Sequence, residues 1–352
     1  MKRFVFAPAL ACCLTLVISS GSRAAAPTPA DVTADRVIAL PSSEATGAAP
    51  VLTAVALSPD GQWLATGGDD HVVRVWNIET GALMHELRGH SDWIRDLAFD
   101  PSTGQLASAA DDRLVKIWTL HGQLLRTLSG SAHPIFTLAY RPDGSILAAA
   151  GYDSVVRLYD PRSGKLLGEL NCEDAEVRAL AISPDGRMLV AAGRNGRVRQ
   201  WNLSDSTLVR DLAAHRQRVR ALCFSPDSTR LATGGDDRRL RIWDTKSGAE
   251  VFSVASRSGK IQGLVFCGDN CLASGTSDNL VRLWNLDAPT EALRLVGHTG
   301  SVSSLDYLAI TGTLVSGSFD TTARVWRLAR EGGPKVARQP GDGGATKEPA
   351  RK

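Results

Sequence analysis

Val73-Arg74-Val75-Trp76 is a short strand-like run that ends on a large aromatic. The pattern returns as Val115-Lys116-Ile117-Trp118, Val156-Arg157-Leu158-Tyr159, Val198-Arg199-Gln200-Trp201, Leu240-Arg241-Ile242-Trp243, Val281-Arg282-Leu283-Trp284 and Ala323-Arg324-Val325-Trp326. The aromatics stand 42, 41, 42, 42, 41 and 42 residues apart. A period of roughly 40–45 residues, kept this regularly, is the length of one four-stranded propeller blade. Each unit also carries an earlier strand-like run, such as Val51–Leu57 or Val219–Phe224, before a turn signal. Those turns include Ser58-Pro59-Asp60-Gly61, Arg141-Pro142-Asp143-Gly144 and Ser183-Pro184-Asp185-Gly186, where Pro presets φ and Gly tolerates positive φ. Nothing of helical period and useful length lies between 36 and 329. The expected fold is all-β, a seven-bladed propeller with four-stranded antiparallel blades.

The ring also needs closing. Counting back from the first hairpin, an outer strand falls at Arg36-Val37-Ile38-Ala39-Leu40, whereas the last repeat ends at Arg327-Leu328 without one. Residues 36–40 are therefore expected to be the fourth strand of the seventh blade, which removes an open sheet edge.

These residues carry a family likeness. The chain resembles the WD-repeat (β-transducin-like) propellers and reads as an exported, bacterial-type member. Trp243-Asp244 and Tyr159-Asp160 stand at the family's dipeptide, Gly89-His90 and Gly297-His298 at its Gly-His, and Ala214-His215 close to it. Six residues before each strand-ending aromatic come Asp70, Asp112, Asp153, Asn195, Asp237, Asp278 and Asp320. Such a row invites a catalytic or metal reading. The resemblance implies instead a structural hydrogen-bonded set of Asp, His, Ser or Thr, and Trp. Three sets are complete: His90, Ser108, Asp112 and Trp118; His215, Thr233, Asp237 and Trp243; His298, Ser316, Asp320 and Trp326. Blade one has Ala48 in the His place and blade six Arg257. Blades three and four, with Ser131 and Ala149, then Glu173 and Ala191, lack both His and hydroxyl, and are expected to be softer.

No Gly-x-Ser-x-Gly, Gly-x-x-x-x-Gly-Lys or His-Glu-x-x-His motif is present, so no catalytic residue, metal or cofactor is assigned. The family's partners usually meet the face made by the loops leading into each inner strand and by the residue before each structural Asp. Carried over, that face holds Trp93, Asp111, Tyr152, Arg194, Arg218, Asp236, Lys260 and Phe319, with the three aromatics as natural anchors. Arg197, Arg199, Arg238, Arg239 and Arg241 read as a solvated basic side of blades four and five. The expected function is a non-catalytic protein-interaction scaffold that binds a protein or peptide as a monomer. An enzyme or small-ligand binder using the central channel is the alternative, as is a membrane-anchored structural component of the envelope.

The 352-residue chain is 43% hydrophobic and 22% charged with a formal charge of +3, a composition that excludes fibrous and wholly disordered classes. Without the ends, residues 27–329 carry about −3, a poor basis for nucleic-acid binding, which draws its affinity from phosphate neutralisation. Met1-Lys2-Arg3, the apolar run Phe4 to Ile18 and the cluster Ala24-Ala25-Ala26 read as a secretory signal peptide over 1–26. The run of fifteen residues would span roughly 22 Å as a helix, short of the ~30 Å hydrocarbon core, so a membrane anchor fits less well; lipidation at Cys12 or Cys13 is a third reading. The expected location is periplasmic or secreted, with membrane attachment only if the N-terminal segment stays uncleaved. Residues 27–35 are expected to be a flexible linker and 330–352 a disordered tail rich in Gly, Pro and charge. Export leaves Cys172, Cys223, Cys267 and Cys271. The last two flank the three-residue turn Gly268-Asp269-Asn270, so a Cys267–Cys271 disulfide is expected.

Overall fold

The computed structural model describes residues 30–42, 48–173, 176–256, 258–287 and 290–328. The expected signal segment and C-terminal tail lie outside the described residues. The architecture is a seven-bladed propeller in which each blade is an antiparallel sheet and consecutive strands are neighbours. Blade two shows the plan: inner strand Ile94–Phe99, then Leu106–Ala110, Val115–Trp118 and outer strand Leu124–Leu128. Blade seven takes its outer strand from the other end of the chain. Arg36–Ala39 pairs antiparallel with Thr322–Arg327, in register Arg36↔Val325 to Ala39↔Thr322. Leu40 follows, buried, its N–H donating to Thr321 O at 3.1 Å.

The turns follow from their residues. Gly61 sits at φ +72° with its N–H on Ser58 O at 2.9 Å, and Gly186 at φ +71° on Ser183 O at 2.8 Å. Both are left-handed positions that glycine occupies without the steric cost a side chain adds.

The core is a ring of interfaces between blades. The second and third strands are sandwiched, which is why Leu64, Ala65, Val73 and Val75 are all buried whichever way they point. One cluster joins Val75 and Leu87 of blade one to Ile94, Leu97 and Phe99 of blade two. Another joins Ile38, Leu40, Val315 and Val325 of blade seven to Val55, Leu64 and Trp76 of blade one, so packing as well as pairing closes the ring. The inner strands surround an axial cavity of about 200 Å³.

One segment departs from expectation. Ala30–Thr33, read as flexible linker, is a strand that pairs parallel with Thr290–Val296, the outer strand of blade six, in register Ala30↔Leu293 to Thr33↔Val296. Blade six is therefore five-stranded. The outer edge of a blade offers unpaired N–H and C=O groups, and the short hop Ala34-Asp35 from the closing strand brings the chain alongside one. Val32 and Ala34 also pack onto the cluster between blades six and seven.

Candidate functional site

The row of carboxylates serves the scaffold. His90 Nδ1 lies 2.7 Å from Asp112 Oδ2 and Nε2 lies 2.8 Å from Ser108 Oγ, which also accepts the Trp118 indole N–H at 2.8 Å. The hydroxyl serves both neighbours by accepting from the indole and donating its own proton to Nε2; Nδ1 then carries the imidazole proton and donates to the carboxylate. His215, Thr233, Asp237 and Trp243 repeat the arrangement, as do His298, Ser316, Asp320 and Trp326. Burial works against the Asp112 charge, but the His90 hydrogen bond and the N–H groups of Ser91 and Leu114 outweigh it and hold the carboxyl below its usual range. Replacing Ser108 by Ala removes the oxygen both neighbours use. The expected loss is about 3 kcal/mol, since an unpaired buried group costs about 1–3 kcal/mol. Urea unfolding checks it, with Ala149→Ser in blade three, where no His waits for the hydroxyl, expected to add nothing.

The incomplete sets differ from the sequence reading. In blade five His215 N–H donates to Gly196 O at 2.9 Å; in blades four and six the equivalent bonds come from Cys172 (to Ser154 O, 2.7 Å) and Ser256 (to Arg238 O, 2.7 Å). Cys172 and Ser256, both buried, therefore take the His place, rather than the largely exposed Glu173 or Arg257, which lies outside the described residues. Where His is missing, the basic residue of the third strand reaches the structural Asp. Arg74 meets Asp70 at 2.7 Å, Arg157 meets Asp153 at 2.8 Å and Arg282 meets Asp278 at 2.5 Å. The same position overturns the solvated reading of Arg199 and Arg241. Arg199 is 6% exposed and bonds Asp211; Arg241 is largely buried between Asp237 and Glu250. A guanidinium flanked by two carboxylates on neighbouring strands is invisible to a linear reading, because strand register creates it.

The expected disulfide is absent. None of Cys172, Cys223, Cys267 and Cys271 is in a disulfide. Cys267 and Cys271 face each other across the hairpin, with Cys267 N–H on Cys271 O at 2.8 Å and their thiols hydrogen-bonded. Burial pushes the Cys267 thiol well above its ordinary value, while the hydrogen bond from Cys267 lowers Cys271.

The docking-face residues fall into three groups. Trp93, Tyr152 and Phe319 are 42%, 50% and 47% exposed. Trp93 and Tyr152 are linked through side chains the sequence reading passed over: the Arg95 guanidinium lies 4.9 Å from the Trp93 ring centroid and 5.8 Å from that of Phe136, and Phe136 meets Tyr152 edge-on at 6.4 Å. Phe319 borders the same channel mouth, a space of about 150 Å³. Asp111 is engaged by Arg95, Nε to Oδ1 at 2.8 Å. Asp236 lies between Arg220 at 2.5 Å and Lys260 at 3.7 Å, and Arg218 reaches Glu176 at 3.0 Å. Arg194 stands exposed on the rim, its main-chain N–H on Glu176 O at 3.2 Å. Glu176 itself is buried at φ +71°, an uncommon conformation for a side chain of its size, and its carboxylate also binds Arg178 at 2.6 Å.

The second residues of the inner strands, Thr53, Arg95, Phe136, Arg178, Arg220, Gln262 and Ser303, line that mouth at one level. Their 41–42-residue spacing was a readable signal; only the fold shows that this register position, one turn of the pleat past the loop, faces the axis.

Comparison with known proteins agrees with this geometry. The family model described as WD domain, G-beta repeat matches residues 42–77, 81–119, 122–160, 164–202, 206–244, 249–285 and 290–327. The chain belongs to the WD40 family. Each matched repeat after the first starts before the outer strand of one blade and runs through three strands of the next, so in this chain the outer strand of the last blade comes from ahead of the first matched repeat. Relatives include a WD repeat-containing protein of Schistosoma mansoni (27% identical over 32% of this chain), a COMPASS component of Saccharomyces cerevisiae (30% over 32%) and an anaphase-promoting complex subunit of Dictyostelium discoideum (25% over 32%). The matches span 38%, 36% and 22% of those proteins, well under two thirds of their length.

Proposed function

We propose that this WD40 propeller is an exported, non-catalytic scaffold that docks a protein or peptide on the face around the channel mouth. The observation that carries the reading is the gathering of Trp93, Tyr152 and Phe319, each 42–50% exposed, around one small axial opening. Large aromatics held by a rigid sheet framework bury much area at little entropic cost, which suits them as binding anchors. The names of two relatives, a complex component and a complex subunit, fit the same class. Export rests on the basic start, short apolar run and Ala cluster of residues 1–26.

The test is a crosslinking pull-down with the mature domain from its own envelope fraction. Trp93→Ala combined with Phe319→Ala is expected to reduce partner capture by roughly ten-fold or more, since a central aromatic anchor is typically worth ~2 kcal/mol. Equal capture by the double variant refutes the face. N-terminal sequencing of the native protein reads the export step; a start between about Ala24 and Pro27 is expected, and a start at Met1 rejects cleavage.

A further inference from the structure

Blades two, four and five place Arg95, Arg178 and Arg220 on the same level of the channel mouth, and Phe136 stands between the first two. The Arg178 guanidinium lies 3.8 Å from the Phe136 ring centroid. Three carboxylates serve these arginines from the rim, Asp111, Glu176 and Asp236, but Glu176 is shared with Arg218 and Asp236 with Lys260. Five cations thus share three anions. The crowding is felt at Arg178: burial loosens its hold on the proton, Glu176 restores part of it, and Arg218 and Arg95 loosen it further. One layer down, the half-buried Asp96 does not turn to the arginines; its oxygens accept the N–H groups of Leu97 (2.9 Å) and Leu138 (2.7 Å).

The mouth, at about 150 Å³, is below the 300–1,000 Å³ common for drug-sized ligands. It has the size for a side chain, with an apolar wall at Phe136; Arg178 and Arg220 turn Nε and Nη2 to Glu176 and Asp236, so their Nη1 groups are the ones that can meet an incoming carboxylate. Across the ring, Asp69 and exposed Asp92 on blades one and two repel further negative charge there. We infer, resting on the docking reading above, that the mouth is a carboxylate subsite: the partner segment inserts a Glu or Asp side chain between Arg178 and Arg220, with its methylene groups against Phe136. The acidic end of that segment lies over blades four and five, where Arg194 adds to the positive side.

The experiment uses the full chain and fluorescein-labelled hexaglutamate, hexaserine and hexalysine peptides, read by anisotropy, with inorganic phosphate as a fourth probe. Hexaglutamate is expected to bind and the other two peptides not, with affinity falling as salt rises from about 50 to about 300 mM. Arg178→Gln is expected to weaken hexaglutamate roughly ten-fold. Gln262→Glu puts a negative charge on the same level without removing an ion pair, so it keeps the test alive if Arg178→Gln unfolds, and it is expected to weaken binding as much. Hexaglutamate and hexaserine binding alike, or Gln262→Glu binding hexaglutamate as the parent does, overturns the subsite; so does binding of phosphate with none of hexaglutamate. Partner capture is read in parallel. If Gln262→Glu captures normally while the Trp93/Phe319 double variant does not, the subsite fails and the docking face stands; if both capture normally, the face itself fails.

Discussion

A chain that starts at Pro41 is expected to melt roughly 10–20 °C below the full-length protein, or to aggregate on heating, taking ~2–4 °C per kcal/mol for a domain of this size. The truncation strips the strand Arg36–Ala39 from Thr322–Arg327 and exposes that edge to any passing chain. It also removes Ile38 and Leu40, 3% and 5% exposed, from the cluster that ties blade seven to blade one. Each buried aliphatic side chain contributes roughly 1.5–3 kcal/mol, and the broken ladder adds about 1 kcal/mol per bond lost. A chain that starts at Asp35 keeps the closing strand and, of the described residues, loses only Ala30–Thr33 and Ala34, so its shift is expected to be a few degrees at most. Calorimetry separates the cases. Equal melting temperatures for the Pro41 chain and the full-length protein would remove the closing role of this strand.

Asp96→Asn is expected to change how stability depends on pH between about 4.5 and 7.5. Asp96 is half-buried in the wall of the channel, and desolvation there is the largest influence on it; the N–H groups of Leu138 and Leu97 and the Thr137 hydroxyl act against desolvation, and Asp306 adds to it. The net effect raises the carboxyl from its ordinary 3.8 to about 6. The folded protein therefore holds this proton more tightly than the unfolded chain does. The stability it contributes is complete below pH 3.8 and is lost as pH climbs through about 6, a loss of about 3 kcal/mol at ~1.4 kcal/mol per pH unit. Asp306, raised by its own burial, works in the same direction. His298 works the other way: burial lowers it against the pull of Asp320, so its contribution is present above 6.5 and lost as pH falls below that value. Comparing parent and Asp96→Asn cancels the other groups. Denaturant unfolding between pH 4.5 and 7.5 is expected to show the variant gaining about 2 kcal/mol on the parent, since that window catches about two thirds of the whole change. A difference that stays constant with pH overturns the assignment.

The repeat made most of this legible in advance. Seven strand-ending aromatics at 41–42-residue intervals determine blade number, strand order and the three complete hydrogen-bonded sets, because each of those depends on residues inside one repeat. Local spacing carries that information without knowledge of the rest of the chain. What the sequence by itself left open lies between repeats. Cys172 takes the place that counting back 22 residues from Asn195 assigns to Glu173, because the loop there shifts by a residue and only main-chain pairing reveals which N–H reaches the neighbouring turn; in blade six the same count back from Asp278 lands on Ser256 itself, so that position was legible. Ala30–Thr33 looked like linker because its partner strand is some 260 residues away, and four residues have no sheet tendency of their own until an edge is offered. The charged mouth was missed for the same reason. Arg95, Arg178 and Arg220 are distant in sequence, and it is the closing of the ring that turns one register position in seven strands into a single wall around the axis. Composition and period determine the blade; the curvature that brings blades together decides which side chains share a site.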